Sequence, residues 1–154
     1  MKLIPGSRDS AARLAAAAAA LVTVGAGLGL RSVATGNVAK YGGDALYTVL
    51  LLTLVVLVAP RLTPLRAAAT ALAASWAVEF LQLTALPADL SRHSTAARLV
   101  LGSTFNAPDL FWYVAGAAVG WLLLTALRPS GAREEPAGGT LVPPAPASRS
   151  WPAP

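Results

Sequence analysis

Cysteine is absent from the 154 residues, and histidine occurs once, at His93. The first absence excludes disulfides and thiolate metal sites, and a single imidazole cannot assemble a zinc site of the usual kinds. No metal and no cofactor are expected. Charge is also scarce: Asp, Glu, Lys and Arg make up 12% of the chain against 55% hydrophobic residues, and the mean hydropathy is +0.59. That balance lies outside the composition of soluble domains and points to lipid as the solvent. Seven acidic residues stand against twelve basic ones, for a net charge of +5. Nucleic acid is not the implied partner, because the Lys and Arg residues sit in short groups between apolar runs and not along one face. Neither a P-loop nor a dinucleotide fingerprint occurs. No Ser or Cys nucleophile pattern accompanies His93, which reads as an exposed loop residue, so no catalytic residue is assigned.

What the chain does contain is four apolar runs, which predict an all-α transmembrane fold: a four-helix membrane bundle over residues 14–128. The first run, 14–30, is Ala-rich and follows Lys2, Arg8 and Arg13. Ser32, Val33 and Ala34 would suit a signal peptidase, but the run exceeds a usual signal core and Arg31 abuts the site, so a retained helix is preferred. The second, 44–59, stops at Pro60 and Arg61, where proline and charge end a membrane helix. The third, 67–86, is long enough to span but carries Glu79 and Gln82. The fourth, 109–127, is opened by Asn106, Pro108 and Asp109 and closed by Arg128 and Pro129. Between the third and fourth, Ser94 and Thr95 precede AARLVL and Gly102, which reads as a short capped helix at the membrane interface. Residues 1–13 are expected to be a cytoplasmic N-terminus. Residues 129–154, with seven of the twelve prolines, are expected to form a disordered cytoplasmic tail.

Four spans put both termini on one side, and basic residues choose which. Lys2, Arg8, Arg13, Arg61, Arg66, Arg128, Arg133 and Arg149 fall on the side of the termini, against Arg31, Lys40, Arg92 and Arg98 opposite. Eight against four places both termini in the cytoplasm and makes the chain a multi-pass protein of the plasma membrane. Tyr41, Tyr47, Trp112 and Tyr113 then form an aromatic belt at the outer interface.

Glu79 is the sharpest feature, since a carboxylate in hydrocarbon costs several kcal/mol unless it is partnered. Ser75, Glu79 and Gln82 follow i, i+4, i+7 spacing, one stripe of a helix that must face its neighbours or a wet cavity. Two readings stand side by side: a binding or proton-relay site, and a structural anchor in which Glu79 pairs with an arginine. Arg98 ranks first as partner and Arg31 second. Lys40, Asp44, Arg92, His93, Asn106 and Asp109 lie on the same outer side, although Asp44 and Asp109 also suit the first turn of a helix. Gly25, Gly27 and Gly29 and the pair Gly116 and Gly120 offer close helix approach, within one chain or in a homo-oligomer.

GLGLRS (27–32), KYGGDALY (40–47), EFLQL (79–83) and RLVLGSTFNAPDLFWYVAG (98–116) occur in an order that resembles a bacterial family of small membrane proteins, domain of unknown function 2809. That family is distantly similar to VanZ-like proteins, from which the chain departs at Tyr113, where they usually have Asn. The resemblance implies a polar signature on Arg31, Lys40, Gly43, Asp44, Glu79, Gln82, Arg98, Asp109 and Gly116. It implies no particular reaction. The combined expectation is a non-enzymatic envelope protein with an outward pocket in which Glu79, Gln82, Arg98, Asp109, Arg31, Lys40 and Asp44 bind an amphipathic or lipid-linked ligand, with membrane lipids around it. The alternative is a proton-coupled small transporter or channel subunit using Glu79, which would require oligomerisation. A hydrolase or transferase using Glu79 or Asp109 as acid or base lacks a nucleophile or metal set.

Overall fold

A computed structural model describes residues 6–102 and 104–127. Among these residues every regular element is an α-helix: α1 (Ser7–Val33), α2 (Gly36–Val58), α3 (Pro64–Leu81), α4 (Leu86–His93), α5 (Thr95–Leu101) and α6 (Ala107–Leu127). Three stretches are long and apolar enough to cross a membrane: Arg8–Val33 of α1, Gly36–Val58 (all of α2) and Asp109–Leu127 of α6. Helices α3 and α4 reach that standard together, as a pair bent by 89°. The protein is a multi-pass membrane protein. The tail expected to be disordered lies outside the described residues.

The helix ends differ from the sequence expectation in three places. Helix α1 begins at Ser7, about two turns before the expected start at 3.6 residues per turn, and ends two residues before the Thr35 that opens α2. Helix α2 begins at Gly36 and not at 44, so Lys40 and Asp44 lie within it and Asp44 is no first-turn acid. Residues 36–43 hid this, because three glycines and the polar Asn37 and Lys40 mask a helical pattern that packing against α1 completes. The third span does not run straight to residue 86. Helix α3 stops at Leu81, and Leu83 and Thr84 bond back three residues, to Phe80 and Leu81. Pro87 explains the break: it has no N–H to continue the ladder and its ring excludes a helical turn before it, so the chain turns and restarts as α4. The capped helix expected after Ser94 is α5, with Ser94 Oγ accepting from the Ala97 N–H and Gly102 ending it at φ 65°. Helix α4 before it was not foreseen.

Helices α2, α3 and α6 pack against one another, α3 antiparallel to the other two, and α1 packs on α2. Inside lie small and polar side chains: Ala67, Ala68, Ala71, Thr48 and Ser75 are buried, with Leu52 and Val56. Outside lie large apolar ones, among them Leu14, Leu21, Leu28, Leu54, Phe111 and Leu122. This inversion of the soluble pattern follows from lipid, which rewards close backbone packing and imposes no cost on exposed leucine. At the end bearing the α2 C-terminus, Arg13 donates to the Val58 carbonyl at 3.2 Å and Arg61 pairs with Asp9 at 2.7 Å, joining α1 to α2.

The two groups of helix glycines turn out differently. Gly116 faces the Ala45 backbone, whose carbonyl carbon would lie 2.9 Å from an added Cβ, and Gly120 faces the Leu52 side chain. The pair therefore seats α6 on α2 within one chain. Gly25, Gly27 and Gly29 meet nothing within 4 Å, so they provide no close approach between these helices. Gly116→Ala is expected to lower stability by about 1–3 kcal/mol, the usual range for overpacking against a surface that cannot yield. Gly29→Ala should be neutral or stabilising by up to about 1 kcal/mol through helix propensity. Unfolding in detergent compares the two, and equal effects would contradict the packing described.

Candidate functional site

Glu79 sits on the face of α3 that also presents Ala71 and Ser75, at four-residue spacing, and is 1% exposed. Its two oxygens accept from two donors, both from the start of α6: Oε1 from the Asn106 backbone N–H at 2.6 Å and Oε2 from the Tyr113 hydroxyl at 2.8 Å. Asn106 immediately precedes α6, so its N–H belongs to the group of amides that a helix N-terminus leaves without internal acceptors. A buried carboxylate and an orphan amide thus satisfy each other. Trp76, one turn before Glu79, adds an indole N–H donated to the Leu110 carbonyl at 3.3 Å.

Asp109 carries the network on to α2. It is buried, in the first turn of α6, and its Oδ1 accepts from both the Asn106 side-chain amide and the Lys40 ammonium. Lys40 Nζ also lies 3.6 Å from Asp44 Oδ2, one turn along α2. The order of connection is Asp44, Lys40, Asp109, Asn106, Glu79, Tyr113, across α2, α6 and α3. Lys40 is the member open to solvent, its side chain 42% exposed. Its ammonium lies 5.2 Å from the Tyr41 ring centroid, and Tyr41 in turn stacks on Trp112 at 5.3 Å. Deeper in the bundle Thr48 Oγ1 and Ser75 Oγ are 2.9 Å apart. Ser75 donates to the Ala71 carbonyl, so its one proton is committed and Thr48 is the donor of the pair.

Two buried acceptors in this region, Asp44 Oδ2 and Gln82 Oε1, make no hydrogen bond among the described residues, although Asp44 Oδ2 is ion-paired with Lys40. Gln82 is held by its amide N–H, donated to the Leu101 carbonyl at 2.7 Å, which ties the end of α3 to the end of α5. Among the described residues no three His, Asp or Glu side chains are placed to share a metal ion.

Lys40, Asp44, Glu79 and Asp109 are brought into one neighbourhood. Gln82 lies beyond it, at the α5 end. Arg98 and Arg31 do not reach Glu79: both are exposed, on α5 and in the last turn of α1, and the expected arginine pairing is replaced by neutral donors. The physical reason is that two short hydrogen bonds satisfy a carboxylate without desolvating a guanidinium. Tyr113 was expected in the outer aromatic belt and is instead 5% exposed, facing Glu79. A signal for it existed. Asp109, Tyr113, Gly116 and Gly120 share one face of a helix by spacing, and that face had to be interior because Gly and Asp do not suit lipid. Thr48 was missed, since a lone hydroxyl in an apolar run carries no pattern.

The family described as protein of unknown function (DUF2809) matches residues 33–117. No curated protein and no solved structure matches the chain. The matched segment runs from the end of α1 into α6 and includes every member of the polar network described above.

Tyr113→Phe is expected to destabilise the protein by about 1–3 kcal/mol, because it leaves a buried carboxylate oxygen without its donor. In a double-mutant cycle with Glu79→Gln the two effects should fail to add by at least about 0.5 kcal/mol. Arg98→Gln should stay within about 0.5 kcal/mol of wild type and show no coupling to Glu79. Unfolding in lipid or detergent provides all three values, and coupling of Glu79 to Arg98 in place of Tyr113 would overturn this description.

Proposed function

The chain belongs to the DUF2809 family of proteins of unknown function, and from that premise we propose that it binds the polar headgroup of an amphipathic or lipid-linked envelope ligand without transforming it. The proposal sets it in a bacterial plasma membrane as a four-helix bundle, the bent α3–α4 pair supplying the third span and α5 lying at the interface. Both termini face the cytoplasm, by the excess of basic residues on their side. Lys40, Asp44 and Asp109 then face outward, with Arg31, Arg98 and Gln82 around the rim and Glu79 as the buried support.

The observation that carries this reading is an accessible cation held between two acidic side chains, one of which keeps an oxygen that makes no hydrogen bond among the described residues. Lys40 is exposed enough to meet a ligand, while Asp44 Oδ2 beside it is buried with no hydrogen-bond partner among the described residues. A headgroup that offers both an anionic group and hydroxyl or amine donors would complement the two at once. Tyr41 stacked on Trp112 supplies an aromatic wall at the same depth.

Proton-coupled transport, the alternative use of Glu79, draws less support. The polar groups descend from Lys40 to Thr48 and Ser75, about 12 Å at 1.5 Å rise per residue. Below them the buried side chains of α2 and α3 among the described residues are Leu52, Val56, Ala67, Ala68 and Ala71, and the half-buried Thr53 hydroxyl is committed to the Leu50 carbonyl of its own helix. A track that ends halfway suits a pocket better than a pathway.

The test is lipid mass spectrometry on protein purified in a mild detergent. An envelope lipid should be enriched with wild type and fall by about tenfold with Lys40→Gln, the effect of losing one charge-assisted contact. Asp44→Asn should reduce it too, with the melting temperature preserved in at least one of the two variants. Identical lipid profiles for wild type and both variants would remove the basis for ligand binding at this site.

A further inference from the structure

Two depressions meet where α2 ends, at the opposite end of the molecule from Lys40. One, of about 390 Å³, lies between α2 and α3 against Leu51, Leu54, Val55, Leu62, Thr70 and Ala74. The other, of about 300 Å³, is lined by Asp9, Arg13, Pro60 and Arg61. Val58 and Ala59 line both. We propose that together they hold one anionic phospholipid, with an acyl chain in the apolar groove and its phosphate against the guanidinium groups of Arg13 and Arg61.

The groove is fitted to hydrocarbon. Its one polar group is the Thr70 hydroxyl, which donates to the Arg66 carbonyl at 2.8 Å and so has its proton turned away from any occupant. The cleft is fitted to phosphate. Arg13 uses one Nη2 donor on the Val58 carbonyl, and Arg61 uses Nη2 on Asp9, so among the described residues most of the five N–H donors of each guanidinium have no acceptor. The Arg61 side chain is 76% exposed. Arg8 in the first turn of α1 and Arg66 in the first turn of α3 are exposed at the same end, so among the described residues four arginines stand there against Asp9. That excess repels the cationic part of a zwitterionic headgroup and favours a net anionic one. The shared wall of Val58 and Ala59 points to a lipid over free phosphate, since a lipid joins a chain and a phosphate covalently as these two depressions are joined.

The test is native mass spectrometry of the full chain in a neutral detergent, titrated with phosphatidylglycerol, phosphatidylcholine or inorganic phosphate. Wild type is expected to prefer phosphatidylglycerol over phosphatidylcholine by about tenfold, the order set by two arginines at a membrane surface. Arg61→Gln should weaken the preference and Arg13→Gln with Arg61→Gln should abolish it, while Arg61→Lys retains most of it. Ala74→Trp, at an exposed position in the groove, should weaken phosphatidylglycerol binding with the melting temperature unchanged. Equal binding of the two lipids, or a preference that survives in the double Gln variant, would overturn the proposal. So would inorganic phosphate competing as well as the lipid, or Ala74→Trp altering the oligomeric mass in place of lipid binding. Lys40 is untouched in every variant, so failure here leaves the headgroup site at the other end standing.

Discussion

A carboxylate buried between helices, with both oxygens satisfied by neutral donors, is the constraint on which the rest of the structure depends. Glu79 is 1% exposed and, among the described residues, accepts from the Asn106 N–H and the Tyr113 hydroxyl. Because both donors come from the start of α6, the pair of bonds sets the height and rotation of α6 against α3. That rotation turns Asp109 toward Lys40 on α2 and brings Gly116 onto the Ala45 backbone. Moving any one of the three helices by a turn would leave a buried carboxyl without partners, which lipid cannot repair as water would.

The bundle is accordingly built in two halves along its axis. From Lys40 to Thr48 and Ser75 the interior is polar and joined by hydrogen bonds between side chains. Beyond, it is alanine with Leu52 and Val56, where small side chains let the helices come close and dispersion alone holds them. Directional contacts specify the register in the first half, and close packing completes the second. The two ends also differ chemically. One gathers carboxylates around a lysine, and the other gathers arginines around the α2 C-terminus, a favourable place for cations beside unpaired carbonyls.

Tyr113 does two things at once in this arrangement: its hydroxyl donates to Glu79 Oε2, and its apolar ring lies 6.3 Å from that of Tyr47.

Much of the chain could be read from its residues alone. Scarce charge and long apolar runs determined that it lives in lipid, and Ser94 with Gly102 marked helix α5, because hydropathy and capping are local properties that each segment carries by itself. The spacing of Ser75 and Glu79 determined that an acid faced inward. What faced it could not be read, since Tyr113 lies 34 residues away and an exposed arginine looked like the better electrostatic partner. The start of α2 at Gly36 and the break after Leu81 were likewise settled by neighbours: packing on α1 rescues a glycine-rich turn, and Pro87 ends a helix that apolarity alone would have continued. Only the tertiary structure decided which donors satisfy Glu79, because hydrogen bonds between helices depend on relative rotation, a quantity that no single helix encodes.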